Sequence, residues 1–261
     1  MRKEHISGIR AAVFAYFCAM GNDFFRFKQF EVKQGKTAMK VCTDSCLFGA
    51  LLPCIDQNRT RILDIGTGTG LLSLMYAQRH ADAQIDAIEL DEAAFEQAKE
   101  NFAVSPWPDR LTAIQADFRS YGSIEENNIA KYDLIFSNPP FFEGDLKSAD
   151  NQRNQALHST DLGFEGLVRN TEALLQPEGI FAVLIPFSRR EEMIRIAKEY
   201  TLFPYLEYIV AHTQLHDYFR VIQLFSRKEL ENHVEEILIR DLKQQYSLKF
   251  RELLNPFYLY L

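Results

Sequence analysis

The heptapeptide Asp64-Ile65-Gly66-Thr67-Gly68-Thr69-Gly70 separates an apolar run at 61–65 (RILDI) from a helix-like stretch at 71–79. Three glycines in five residues permit a tight turn and let backbone N–H groups approach a ligand at a helix start. The alternation then continues. Residues 84–90 (QIDAIEL) read as a second strand, 92–102 as a helix and 111–116 (LTAIQA) as a third strand. Residues 132–137 (YDLIFS) give a fourth strand, 167–175 a helix and 179–186 (GIFAVLIP) a fifth strand. Such an order specifies an α/β fold of βαβ units around a mostly parallel sheet, helices on both faces. Right-handed crossovers make it doubly wound. Runs 206–211 and 221–227 flank polar residues 212–219 with no helix between, which predicts an antiparallel hairpin at one edge.

Composition narrows the class. At 261 residues, 47% hydrophobic and 25% charged, the chain can bury a core without cross-links. The net charge of −7 excludes a surface that is basic throughout and leaves room for a local basic patch. No apolar run reaches the roughly 18 residues that span a membrane. Cys18, Cys42, Cys46 and Cys54 crowd the first quarter, no framework for disulfides, so a reducing cytoplasmic home is expected. Residues 1–19 pair Arg2, Lys3 and Arg10 with an apolar stretch, the rough shape of a signal peptide. With no small-x-small cleavage site, they read instead as an upstream extension, with Met20 as the natural start. The expected division is 1–19 outside the natural fold and 20–261 as one domain, 20–59 being an appendage.

The glycines do not fit a dinucleotide site. That pattern wants its third glycine three residues after the second, where this chain has Leu71. Asp64, two residues ahead of Gly66, would also repel a pyrophosphate. A cationic ligand without phosphate suits the loop, and S-adenosylmethionine, with its sulfonium and ammonium, is one. Glu89 ends the second strand, where a carboxylate accepts both ribose hydroxyls. Asp117 and Phe118 follow the third, where one can accept from an adenine amino group and the other stack on the base.

Asn138-Pro139-Pro140-Phe141 ends the fourth strand. Two prolines fix φ and remove two donors, leaving carbonyls pointing outward. With the Asn138 carbonyl they form two convergent acceptors for a planar –NH₂ group. Holding both protons favours a pyramidal nitrogen whose lone pair can attack a methyl carbon, and Phe141 can stack on the ring that bears the amine.

These stretches resemble the successive motifs of class I S-adenosylmethionine-dependent methyltransferases, whose seven-stranded Rossmann-like sheet also ends in an antiparallel hairpin. The Asn-Pro-Pro-aromatic motif is similar to that of amino methyltransferases acting on adenine, guanine or glutamine. Flanking segments are closer still. Phe25-Arg26-Phe27-Lys28-Gln29-Phe30, Ala38-Met39-Lys40-Val41 with Thr43-Asp44, and Phe250-Arg251-Glu252-Leu253-Leu254 with Pro256-Phe257-Tyr258-Leu259 resemble the bacterial tRNA1(Val) adenine-37 N6-methyltransferases. The resemblance implies methyl transfer to the N6 amine of an adenine in a tRNA anticodon loop, with S-adenosylhomocysteine as the other product. It assigns Asn138, Pro139, Pro140 and Phe141 to the target base. It assigns Asp64, Gly66, Gly68, Gly70, Glu89, Asp117 and Phe118 to the cofactor, and closes the Thr43 segment over its methionine end. Thr43 and Asp44 also read as helix caps. An rRNA guanine-N2 methyltransferase, a protein glutamine methyltransferase and a non-catalytic cofactor- or RNA-binding module are the rival readings.

Residues 21–40 set Arg26, Lys28, Lys33, Lys36 and Lys40 against Asp23 and Glu31, interleaved with Phe24, Phe25, Phe27 and Phe30. The phenylalanines read as the apolar face of a hairpin on the core. Arg26, Lys28, Lys33 and Lys36 are candidates for gripping an RNA backbone. Arg153 and Arg189 are further candidates, with Asn154, His158 and Arg190 beside them. Cys42 and Cys46 lack the further ligands a metal needs, since no His lies between 6 and 79, and read as inert thiols.

Overall fold

The computed structural model describes residues 23–37, 39–55, 59–121, 131–140 and 163–261. The expectations for residues 1–19, Phe141, Arg153, Asn154 and His158 lie outside them.

A two-stranded hairpin, β1 (Phe24–Arg26) and β2 (Glu31–Lys33), precedes helix α1 (Thr43–Leu51). The alternating region follows as β3 (Arg61–Ile65), α2 (Leu71–Arg79), β4 (Gln84–Glu89), α3 (Glu92–Val104) and β5 (Leu111–Gln115). Then come a short α4 (Phe118–Tyr121), β6 (Tyr132–Ser137), α5 (Gly163–Leu174), β7 (Leu175–Pro186) and α6 (Arg190–Glu199). The last elements are β8 (Phe203–Ala211), β9 (Arg220–Ser226), β10 (His233–Leu238) and α7 (Leu248–Leu254). Local chemistry sets several boundaries. Asp91 caps α3 by accepting from Ala94 N at 2.9 Å, and Ser247 caps α7 by accepting from Phe250 N at 3.1 Å.

The main sheet runs β10-β8-β9-β7-β6-β3-β4-β5, parallel except for β9. The seven expected strands and the β8–β9 antiparallel pair are present. An eighth, β10, lies parallel beside β8 and takes the edge the hairpin was expected to hold. β7 starts earlier than the expected 179, because 176–179 form an irregularity between the pairs Tyr132–Leu175 and Leu134–Ile180.

Successive residues of the central strands feed opposite faces. Ile62, Leu134, Phe136 and Ala182 join the core beneath α1, α2, α3 and α7. Leu63, Ile135, Phe181 and Val183 join the one beneath α5 and α6. Burial on both sides is why these strands read as continuous apolar runs. Of the four hairpin phenylalanines expected on the core, Phe27 and Phe30 are buried and stack at 4.5 Å, Phe25 is half-buried and Phe24 is exposed.

Register brings the site together. Ile65 pairs with Ile88 and with Ser137, and Glu89 pairs with Gln115. The carboxyl ends of β3, β4, β5 and β6 therefore finish level. Between β3 and β6 the strand order reverses, the position where open α/β sheets hold their ligands.

Candidate active site

All three glycines of the β3–α2 loop are left-handed, with φ of 70° at Gly66, 57° at Gly68 and 82° at Gly70. Gly66 N and Thr67 N donate to Ile88 O, and Gly68 N donates to Glu89 Oε2 at 2.9 Å. Glu89 Oε1 accepts from Leu90 N and Asp91 N. One carboxylate thus ties the loop to the end of β4. A Cβ on Gly66 or Gly68 would meet nothing within 4 Å, so both leave open space above the backbone. Gly70 differs, since a Cβ there would stand 2.5 Å from Phe102 Cε1. Although expected at the cofactor, it lets α3 pack against the loop. Gly70→Ala is expected to cost about 2–4 kcal/mol in urea unfolding, more than Gly66→Ala, which carries backbone strain alone. Equal losses would show that Phe102 yields freely.

Asp64 is fully buried. Its Oδ2 accepts from Thr67 Oγ1 and Ser73 Oγ, each at 2.7 Å, while Oδ1 has no partner among the described residues. Burial pushes its pKa up to about 6 against these two hydrogen bonds. Through these two bonds it ties Thr67 of the loop to Ser73 of α2.

Over the loop opens a cleft of about 550 Å³, within the range of small-molecule sites. Carboxylates of Glu89, Asp91, Glu92 and Asp117 line it, against a single guanidinium among the described residues, that of Arg189. Such a wall repels phosphate and favours a cation. Asp117, the expected acceptor for an adenine amino group, is engaged by its neighbour Arg119, whose Nε reaches Oδ2 at 2.8 Å, and this pairing holds its pKa low. Phe118 lines the cleft and is otherwise buried in the core.

Ser137, Pro139 and Pro140 also line the cleft. Ser137 Oγ donates to Ile65 O at 2.9 Å, pinning the turn beside the glycine loop. Asn138 Nδ2 donates to Ser45 Oγ at 2.9 Å, and Asn138 Oδ1 is buried with no donor among the described residues. Ser45 carries no motif that would single it out in the sequence. Asn101 was missed too: buried on α3, its Nδ2 donates to Lys33 O and Thr69 O, joining β2 to the loop. Thr43 opens α1 but does not cap it, since Cys42 holds the cap position without a side-chain bond. Asp44, the other expected cap, accepts instead from Arg220 Nε at 2.9 Å.

The basic candidates separate. Arg26 pairs with Glu31 and Lys36 with Glu100, while Lys28 Nζ donates to Asn255 O at the end of α7. Lys33 acts electrostatically on Glu100, the partner of Lys36. Arg189 pairs with Glu192 and sits 3.8 Å over the Phe164 ring at the cleft wall. Arg190 grips Glu207, a fully buried carboxylate that also accepts from Gln223 and Asn232. Cys46 is buried, which pushes its thiol up to about 12. No cluster of three metal-ligating side chains occurs among the described residues, and none of their helices is long and apolar enough to cross a membrane.

A cationic cofactor without phosphate is what this cleft selects, and at the switch point of such a sheet it marks a class I S-adenosylmethionine-dependent methyltransferase. The methyltransferase small domain family model matches residues 48–185. A tRNA1(Val) (adenine(37)-N6)-methyltransferase from Flavobacterium johnsoniae is 44% identical over 90% of this chain and 99% of its own. One of the same name from Bacteroides thetaiotaomicron is 42% identical over 93% and 100%. The fold is also that of a solved structure described as a predicted O-methyltransferase from Agrobacterium tumefaciens, with a TM-score of 0.65 at 17% identity over 82% of this chain and 96% of that one. The chain belongs to the tRNA1(Val) (adenine(37)-N6)-methyltransferase family.

Proposed function

We propose that this protein methylates the N6 amine of adenine 37 in tRNA1(Val), using S-adenosylmethionine. The observation that carries the reading is the Asn138 carbonyl: a buried acceptor without a donor among the described residues, in a turn whose prolines line the acidic cleft. An unmatched buried acceptor is costly, and an exocyclic amine supplies the missing donor.

The residues fit the cofactor. Gly66 and Gly68 leave room for it, and of the cleft-lining residues Glu89 would accept ribose hydroxyls while Asp117 and Phe118 would meet the adenine. When bound, S-adenosylmethionine supplies an electrophilic methyl carbon. Asn138 Oδ1 and the Pro139 carbonyl would then hold the two amine protons and aim the nitrogen lone pair, with Pro140 keeping the turn rigid and Phe141 stacking on the flipped base. Catalysis of this kind is mainly positioning, and no base of low pKa is required, because the surplus proton can leave after transfer. Unstacking the base costs a few kcal/mol, less in a loop than in a helix. A tRNA substrate places the enzyme in the cytoplasm. Residues 20–261 then act as one methyltransferase domain, with 20–59 lying over the cofactor and RNA side.

The decisive assay is labelled methyl transfer to tRNA, rRNA and protein, using tRNA from cells lacking this gene. N6-methyladenosine in tRNA is the expected product. Label confined to rRNA or protein would overturn the substrate.

For RNA contact, Lys33 is the best placed lysine of the hairpin. Lys33→Gln is expected to lower the salt slope of tRNA binding by about one unit. An unchanged slope returns it to ordinary surface. Lys28 is a poorer probe, since its substitution also removes the bond to Asn255 O at the end of α7.

A further inference from the structure

The geometry points to Ser45 as the positioning residue that orients Asn138, an inference that rests on the amine-binding reading above. A terminal amide offers two ends of nearly the same shape and opposite character: Oδ1 accepts and Nδ2 donates. Only the carbonyl end is useful against an amine, because a donor facing a donor holds nothing. Something must therefore engage Nδ2.

Ser45 does so from 93 positions away in sequence. Its Oγ accepts from Asn138 Nδ2 at 2.9 Å and lies 3.0 Å from Cys42 Sγ. A hydroxyl has one proton. Directed to the Cys42 sulfur, that proton leaves the oxygen free to accept from the amide. Ser45 is itself well held. It is 5% exposed, and the preceding Asp44 is locked to Arg220 of β9 by an ion pair that is mostly shielded from solvent. The hydroxyl is thus a fixed reference on α1, independent of Asn138. It leaves Asn138 Oδ1 as the amide atom without a partner among the described residues.

Single-turnover rates with tritiated cofactor test this on the full-length chain. Ser45→Ala is expected to slow methyl transfer about tenfold, the worth of one hydrogen bond at the reacting group, with KM for tRNA and affinity for S-adenosylhomocysteine unchanged. Ser45→Thr, which keeps the hydroxyl, should recover most of the rate. In an Asn138→Ala background, Ser45→Ala should cost nothing further, since the group it orients is gone. An equal loss in both backgrounds would mean that the hydroxyl only supports the fold, and would overturn the assignment. So would a Ser45→Ala enzyme of normal rate. A wild-type chain that makes no N6-methyladenosine defeats the amine-binding reading itself, and this inference falls with it. A failure confined to the variants defeats the Ser45 role alone.

Discussion

Asn138→Ala lowers methyl transfer to tRNA on the order of 10²–10³-fold while S-adenosylmethionine affinity stays within a few-fold. The rate effect follows from removing an acceptor aimed at a group whose charge changes in the transition state, in a site with little water to substitute for it. The affinity should survive because the cofactor cleft is lined by Ser137, Pro139 and Pro140 rather than by Asn138 itself. The turn also keeps its two prolines and the Ser137–Ile65 bond, so it should not collapse. Rates come from labelled transfer and affinities from calorimetry with S-adenosylhomocysteine. An alanine variant of full activity would remove this residue from the chemistry.

Glu89→Ala acts on the other half of the reaction. Its carboxylate accepts from the N–H groups of Gly68, Leu90 and Asp91, and stands at the cleft wall where ribose hydroxyls are expected. Hydrogen bonds to a charged group are each worth about 1.5–3 kcal/mol. Losing those to the ribose, together with the clasp on the glycine loop, should weaken cofactor binding on the order of 10²-fold or more. Turnover at saturating cofactor should fall much less. A titration giving an unchanged dissociation constant would take Glu89 out of the cofactor site, whatever its effect on stability.

The parallel sheet was legible because βαβ units announce themselves by runs of apolar residues and by glycines at strand ends. Gly66, Glu89, Asp117 and Asn138 could be ordered along one edge for the same reason: each follows a recognisable strand. β10 was invisible. HVEEIL lies at the edge with only Ile237 buried, so it lacks the apolar pattern that marks an inner strand. Glu207 escaped for the opposite reason. A buried carboxylate looks like any surface acid until Arg190, Gln223 and Asn232 arrive from three other parts of the chain. Asp44 read as a cap because capping is a local rule, whereas Arg220 lies 176 positions on. The Ser45–Asn138 bond is of the same long-range kind.

The hairpin's dependence on the far end of the described chain bears on how the protein is made. Phe27 bridges to Tyr258, Lys28 N donates to Phe257 O, and Lys28 Nζ reaches Asn255 O across 227 positions. A ribosome adding ~5–20 residues per second needs on the order of ten seconds or more to supply those partners. Through that interval Phe27 and Cys46 wait without part of their cover, next to a nascent sheet whose edge is still unpaired. The step that completes the fold therefore comes late, and loss of residues 250–258 would leave a sticky, half-clothed hairpin for chaperones and proteases to find.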